Sequence, residues 1–424
     1  MLNDLEANWT RRWEPEVRSH LAFWDAFDLS AAATPELVEH LDAAWERLRA
    51  LWRMHCEIVI PLGRAIGEFT KLYDELFEPD AALRSHDLLR GGENLTTLAA
   101  RRLWAPRHAM FAMPGAADLI ASIPHELAAT LAGEPSMRPI TDALKAWLAE
   151  FGDRVPSLSP AIPTLAEDPT PVARMLKKAV TSEGPSLEER HAWLAAERGR
   201  ATDEARTTLR AYPCAVREAF EQRLDVARTA MLMVDDHNYL IDYASTGWLR
   251  RVVRAVGTRL ADDGVPDAPG DVVNLYPDEM RDTLVRPTEA DPRPRVDEPK
   301  SEMRRYASVA PPPTVGTPSP DRAKGAAGAT KEAAARRFAR DGLLTGAPGS
   351  SGVAIGRARV VRTLADADRL EHGEILVAPT TAQPWVPLFG VAAALITETG
   401  GTLNHAAIVA REFHLPAVVG VPSA

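Results

Sequence analysis

Cysteine is nearly absent. Cys56 and Cys214 are the only two in 424 residues, and they lie far apart. A disulfide framework is therefore excluded as the stabilising principle, and a reducing, cytoplasmic setting is expected. Long apolar runs are also missing. None approaches the roughly 18 residues that a membrane span needs. The opening stretch, MLNDLEANWTRRWEP, lacks the basic-then-apolar pattern of a secretory leader. There is no long basic run and the net charge is -10, so neither nucleic acid nor a membrane is an expected partner. No Cys-x-x-Cys or His-Glu-x-x-His occurs, so no metal site of the chain's own is expected.

What is present divides into unlike parts. The length suffices for two or three domains and a large core. Residues 1–286 read as mainly helical. Apolar residues recur at helical spacing, as in Phe220, Leu224, Ala227, Met231 and Val234, and again in Leu249, Val252, Val253, Val256 and Leu260. Nine of the ten tryptophans fall here, from Trp9 to Trp248. That placement suits helix–helix seams, and a few of them could line an apolar substrate pocket. His55 and Cys56 sit in an apolar helical run and read as core. From about Pro287 to residue 343 the chain turns rich in proline, charge and small residues and reads as a connector, with a short helix at TKEAAARRFAR. Fully extended at about 3.1 Å per residue, Ala310 to Arg340 would span tens of ångströms.

Residues 344–424 switch to short apolar strands between small helices, a compact α/β unit. The strands are expected at Val353–Val361, Glu374–Ala378, Ala393–Ile396 and Pro416–Val419. Its most distinctive stretch runs from Thr399 through Gly400, Gly401 and Asn404 to His405 and Arg411. The glycine pair permits a sharp turn, and a helix-forming run follows. His405 is thus expected at a helix start on a surface junction, where free N–H groups and the helix dipole suit a phosphate. An imidazole there can accept a phosphoryl group and release it.

This block, from GAPGSSGVAIGRARVV through GEILVAPTTAQPWVPLFGVAAALITETGG to AREFHLPAVVGV, resembles the phosphohistidine swivelling domain of the phosphoenolpyruvate-utilising enzymes. The helical part carries GGENLTTLAARRLW, FGDRVPSLSPAIPTLAEDPTPV, ARTAMLMVDDHNYLIDY and GDVVNLYPDEMRDTL. These resemble the helical substrate domain of rifampin-phosphotransferase-like and phenylphosphate-synthase-like proteins. The resemblance implies a multidomain chain, a large mainly α-helical domain joined to a small α/β swivelling domain, with His405 as the phosphorylated residue. It also implies that ATP and Mg²⁺ belong to a separate, ATP-grasp-like partner subunit, because no nucleotide-binding domain is recognised here. The swivelling domain is expected to end short of its usual closing strands. Three positions depart from the family pattern: Asn404 replaces the usual Ser, Thr or Cys, Leu403 replaces a regulatory Thr, and Asp153 replaces a His.

The expected activity is phosphoryl transfer from His405 to the hydroxyl of a small phenol or alcohol bound in the helical domain. The acceptor must lose a proton, and His237, beside Asp235 and Asp236, is a candidate base whose pKa neighbouring carboxylates would raise. Arg411 and Thr399 could touch the phosphate or be structural. Asp236, Arg154, Arg250 and Arg254 are candidates for substrate contacts, with a solvated face the alternative for the arginines. Two other functions compete: a fragment of a phosphoenolpyruvate synthase or pyruvate dikinase, and a non-catalytic phosphohistidine carrier or regulatory protein.

Overall fold

The computed structural model describes all residues except 1–3, 78–83, 107–137, 182–184, 263, 265–267, 287–292, 307–308, 310–341, 402–403 and 423. Short helical turns at Leu5–Asn8 and Trp9–Trp13 lead into α1 (Glu14–Asp25) and the long α2 (Thr34–Leu76). Then come α3 (Leu95–Trp104), α4 (Arg138–Phe151), α5 (Thr170–Thr181), α6 (Leu187–Leu209) and α7 (Cys214–His237). A π-helical turn, Asn238–Ala244, joins α7 to α8 (Ser245–Asp262), and α9 (Pro277–Val285) follows. Pairing of α2 with α7 is the most extensive helix seam. Its cause is an apolar stripe at spacings of three and four, in which Leu51, Met54, Ile58, Leu62 and Phe69 of α2 are buried. Phe220, Leu224, Ala227 and Met231 answer from α7, and the Phe69 and Phe220 rings lie 5.6 Å apart. The second run read from the sequence, Leu249 to Leu260, is likewise buried along α8. Six of the nine tryptophans in this part are buried, whereas Trp52 and Trp193 are exposed.

The expected connector does not begin as one. Arg293–Tyr306 forms α10, with Val296 buried and Lys300 paired to Asp271. One buried apolar residue and two ion pairs, the second between Arg295 and Glu279 at 3.6 Å, lay this charged helix on the domain. The TKEAAARRFAR helix lies outside the described residues.

The C-terminal unit is a five-stranded sheet of order β1-β5-β4-β3-β2. Its strands are β1 (Ala347–Ser350), β2 (Ala358–Val360), β3 (Ile375–Ala378), β4 (Ala394–Thr397) and β5 (Ala417–Val419). Only the β1–β5 pair is antiparallel. The inner strands read ILVA, ALIT and AVV, the unbroken apolar runs that parallel strands show. The expected strand Val353–Val361 is reduced to its last third, since Val353 and Ile355 are 91% and 96% exposed. The unforeseen β1, Ala-Pro-Gly-Ser, reads as a turn. It forms a strand because it lies at the sheet edge with a register shift between Pro348 and Ser350, where a proline without N–H is tolerated. The fold is thus a large helical domain plus a small α/β unit.

The two parts pack tightly. Trp104 of α3 presses on Gly390, where a Cβ would come within 2.4 Å of the indole. Glu412, fully enclosed, accepts a 2.6 Å hydrogen bond from the Gly91 amide, and Arg90 lies 3.2 Å from His414 Nδ1. Among the described residues no helix is long and apolar enough to cross a membrane.

Candidate active site

His405 is the first residue of α11 (His405–Glu412), as the Gly-Gly and alanine-rich pattern foretold. Gly400 adopts φ 111°, and a Cβ on it would collide with Asn404 Nδ2 at 1.9 Å. Asn404 caps α11, its side-chain oxygen accepting from the Ala407 amide at 2.9 Å. The short polar cap explains why Asn can replace Ser or Thr here. Thr399 spends its hydroxyl on the Pro379 carbonyl, 2.9 Å away, and so braces the turn. Leu403 lies outside the described residues.

The surface setting expected for His405 is not observed, because the helical domain covers the junction. The imidazole is 12% exposed, its Nδ1 is 3.2 Å from Asp235 Oδ1 on α7, and its Nε2 is buried without a partner. Asp235 is itself buried. Its second carboxylate oxygen accepts from Asn94 Nδ2 at 3.2 Å, and its backbone carbonyl accepts from Gln383 Nε2 at 3.0 Å. Asn94 is fixed as the N-cap of α3, its Oδ1 accepting from Thr97 N at 2.8 Å. Two stretches picked out in the sequence, GGENLTT and VDDHN, therefore meet at the histidine. Asp235 and Asn94 were given no role there, since nothing local marks residues that act 170 and 311 positions away in sequence.

A second group of titratable side chains adjoins this one. His237 is fully buried, its Nδ1 2.7 Å from the Met233 carbonyl and its Nε2 without a partner. Burial lowers its pKa, outweighing the Met233 carbonyl and Asp242, so the expected rise does not occur. The His55 ring centroid is 5.0 Å from that of His237. His55 Nδ1 lies 2.8 Å from Asp242 Oδ1, without hydrogen-bond alignment. His55 is thus a polar member of this group rather than plain core, and Cys56 is exposed.

Other expected contacts lie elsewhere. Asp236 accepts from the Leu95 amide at 2.7 Å and so anchors the start of α3. Burial pushes its pKa up to about 7. Arg250 is neither solvated nor free: Nε is 2.6 Å from Glu167 Oε2 and NH1 donates to the Pro160 carbonyl at 2.7 Å. Arg254 pairs with the other Glu167 oxygen. Burial alone would raise Glu167, but Arg250, the Thr164 amide and Arg254 hold it down to about 2. Arg411 points away from His405, six residues on being about 240° around a helix. It lines a cavity of about 170 Å³ with His86 and Arg90. Arg154 is buried, donating from Nε to the Phe151 carbonyl at 2.9 Å. Its guanidinium lies 4.7 Å from the Tyr239 ring centroid and NH1 has no partner. Among the arginines expected to contact substrate, Arg154 has a buried donor with no partner.

A cleft of about 950 Å³ is lined by Asp153, Glu167, Arg251 and Arg254 among others and does not include His405. The unpartnered imidazole nitrogen favours His405 over that cleft. Among the described residues no group of three His, Cys, Asp or Glu side chains is arranged to hold a metal ion.

Two family models match. Residues 370–424 match the PEP-utilising enzyme, mobile domain, and residues 58–234 match the rifampicin phosphotransferase fourth domain. The chain thus carries a match to the mobile domain of phosphoenolpyruvate-utilising enzymes beside one to a rifampicin phosphotransferase domain. Among relatives, rifampicin phosphotransferase of Streptomyces sviceus is 34% identical over 299 residues, 69% of this chain and 33% of that protein. That of Bacillus subtilis is 53% identical over 83 residues, 20% of this chain and 10% of the relative. Chondramide synthase of Chondromyces crocatus is 35% identical over 440 residues, covering 99% of this chain and 11% of its own length. The chain spans a third or less of these relatives. Asp235 lies one residue past the end of the helical-domain match.

Proposed function

We propose that this chain is the carrier and acceptor portion of a phosphotransferase. His405 takes a phosphoryl group from an ATP-using partner, which would hold the ATP and Mg²⁺. It then delivers the group to the hydroxyl of a small phenol or alcohol bound in the helical domain. The observation that carries this reading is the Nε2 of His405, left without a partner at a helix start and pressed against the helical domain. Two relatives named rifampicin phosphotransferase support it. In the arrangement seen here the nitrogen is enclosed, so the donor is met only after the α/β unit leaves this seam.

The chemistry asked of the protein is modest. A loose phosphoryl transition state needs positioning and neutralisation of oxygen charge. Arg154 NH1 supplies an unused donor. His237, with Nδ1–H committed to the Met233 carbonyl, presents an Nε2 lone pair, and its lowered pKa keeps it neutral and able to take the hydroxyl proton. Two exposed free cysteines accord with a cytoplasmic protein.

The test is incubation with labelled ATP and a nucleotide-binding partner. An acid-labile, base-stable label, absent from His405→Ala, is expected; label persisting on that variant removes the assignment. The enclosure of the ring also favours a second reading, a carrier that docks without passing phosphate on. Discharge that depends on an added hydroxyl compound, and slows in His237→Ala, separates the two.

A further inference from the structure

We infer that Asp235 is a positioning residue for the carrier histidine, supplied by the opposite domain and therefore present only when the α/β unit is docked. This rests on the reading of His405 as the phosphorylated residue. The geometry makes the carboxylate directional. Asn94 has its oxygen committed to the Thr97 amide, so it can offer Asp235 only N–H, which Oδ2 accepts. The remaining oxygen, Oδ1, faces His405 Nδ1 at 3.2 Å and, as an acceptor, selects the tautomer with the proton on Nδ1. The lone pair then resides on Nε2, the buried nitrogen with no partner. Within the helical domain Asn94 holds the Asp235 carboxylate, so its orientation is set before the histidine arrives. Gln383, which comes with the α/β unit, then donates to the Asp235 carbonyl.

The consequence falls on the transfer step. When the Nε2–P bond breaks and the P–O bond to the acceptor forms, the imidazole takes back the bonding pair on Nε2. With Nδ1 protonated the leaving group is neutral imidazole; with Nδ1 bare it would be an imidazolate, a far poorer one. The acceptor's hydroxyl proton goes to a base or to solvent, and the Nδ1 proton stays in place. Away from the helical domain the carrier lacks this carboxylate and holds its phosphate; docking labilises it. Asp235 thereby couples discharge to arrival at the acceptor side.

Asp235→Asn probes this directly. The Asn94 amide will hold the new side-chain oxygen, turning the new NH₂ toward His405, which forces the lone pair to Nδ1 and the proton to Nε2. Phosphorylating the purified chain with phosphoramidate and following the phosphohistidine by ³¹P NMR dispenses with any partner. Loading of His405 is expected to match wild type, while loss of phosphate to water near neutral pH slows by up to about ten-thousandfold, the loss a wrong-tautomer variant of the Ser-His-Asp triad shows. The limb of the pH–rate profile that falls with rising pH should also move to lower pH. Asp235→Glu is expected to recover part of the rate. In unmodified wild type, ¹⁵N shifts of the His405 ring should show Nδ1 protonated, a readout that no folding defect in the variant can spoil. Equal rates and profiles, or a wild-type ring protonated on Nε2, overturn the inference. No phosphohistidine signal on His405 at all would instead remove the carrier reading beneath it.

Discussion

Glu412→Gln tests how the two domains hold together. Glu412 is wholly enclosed, accepts the Gly91 amide at 2.6 Å and also draws on the Gly92 amide. Burial pushes its pKa from the model-compound value of 4.5 up to about 8, against the Gly91 bond and Arg198, with Asp235 adding to the rise. The sign follows from linkage. The docked, folded state binds the proton more tightly than the open state. Docking is therefore strongest below about pH 4.5, weakens as pH rises, and levels off above about pH 8. From 4.5 to 8 is 3.5 units, which at 1.36 kcal/mol each gives about 5 kcal/mol. That figure is an upper bound, since relaxation and entering water reduce the cost of a buried charge. Glutamine keeps an oxygen for the Gly91 amide and cannot ionise, so its docking should lack this slope. The assay is hydrogen exchange at the Gly91 amide from pH 5 to 9, corrected for intrinsic base catalysis. Wild-type protection should fall by two to three orders of magnitude, roughly the upper bound less its discount, while Glu412→Gln stays nearly flat. Asp236, raised to about 7 by burial, contributes the same slope to both proteins and cancels in the difference. Parallel curves would show that Glu412 ionises freely in the seam and that the reasoning from burial is wrong.

Other outcomes follow from particular contacts. Gly400→Ala combines a φ of 111° with a collision at Asn404. It should cost about 1–3 kcal/mol, lower the melting temperature of the α/β unit and impair phosphorylation of His405. Glu167→Gln leaves the largely buried Arg250 without its carboxylate and should destabilise the helical domain by about 3–5 kcal/mol in urea titrations. The loss should vanish as wild type is acidified toward the Glu167 pKa of about 2, because there both proteins lack the pair. Trp104→Ala removes a buried indole from the seam with Gly390. It should cost about 3–5 kcal/mol and raise exchange at Gly91 together with it.

Much of this architecture could be read from the chain, for reasons that are local. Helical stripes such as Phe220 to Met231 depend on a period of three to four residues. The start of α11 depends on a glycine pair, one capping side chain and a run of alanines. Strands β3 to β5 announce themselves as apolar runs. What escaped the reading is held together over distance. His405 meets Asp235 from 170 residues away, Gly91 finds Glu412 from 321 away, and Arg250 spends its charge on Glu167, 83 residues earlier. No spacing rule covers such pairs. The rise expected for His237 failed similarly: counting nearby carboxylates omits desolvation, which only the packed interior reveals. Strand β1 was hidden by composition, because Pro and Gly signal a turn unless an edge position is known.

In α11 the five residues after the histidine, Ala406 to Ala410, are all buried. The imidazole is thus bolted to a rigid plate and cannot swing between stations by changing rotamer. On the proposed carrier reading, every journey of the phosphate has to be a journey of the entire plate, and turnover is capped by the pace of whole-domain reorientation, microseconds to milliseconds.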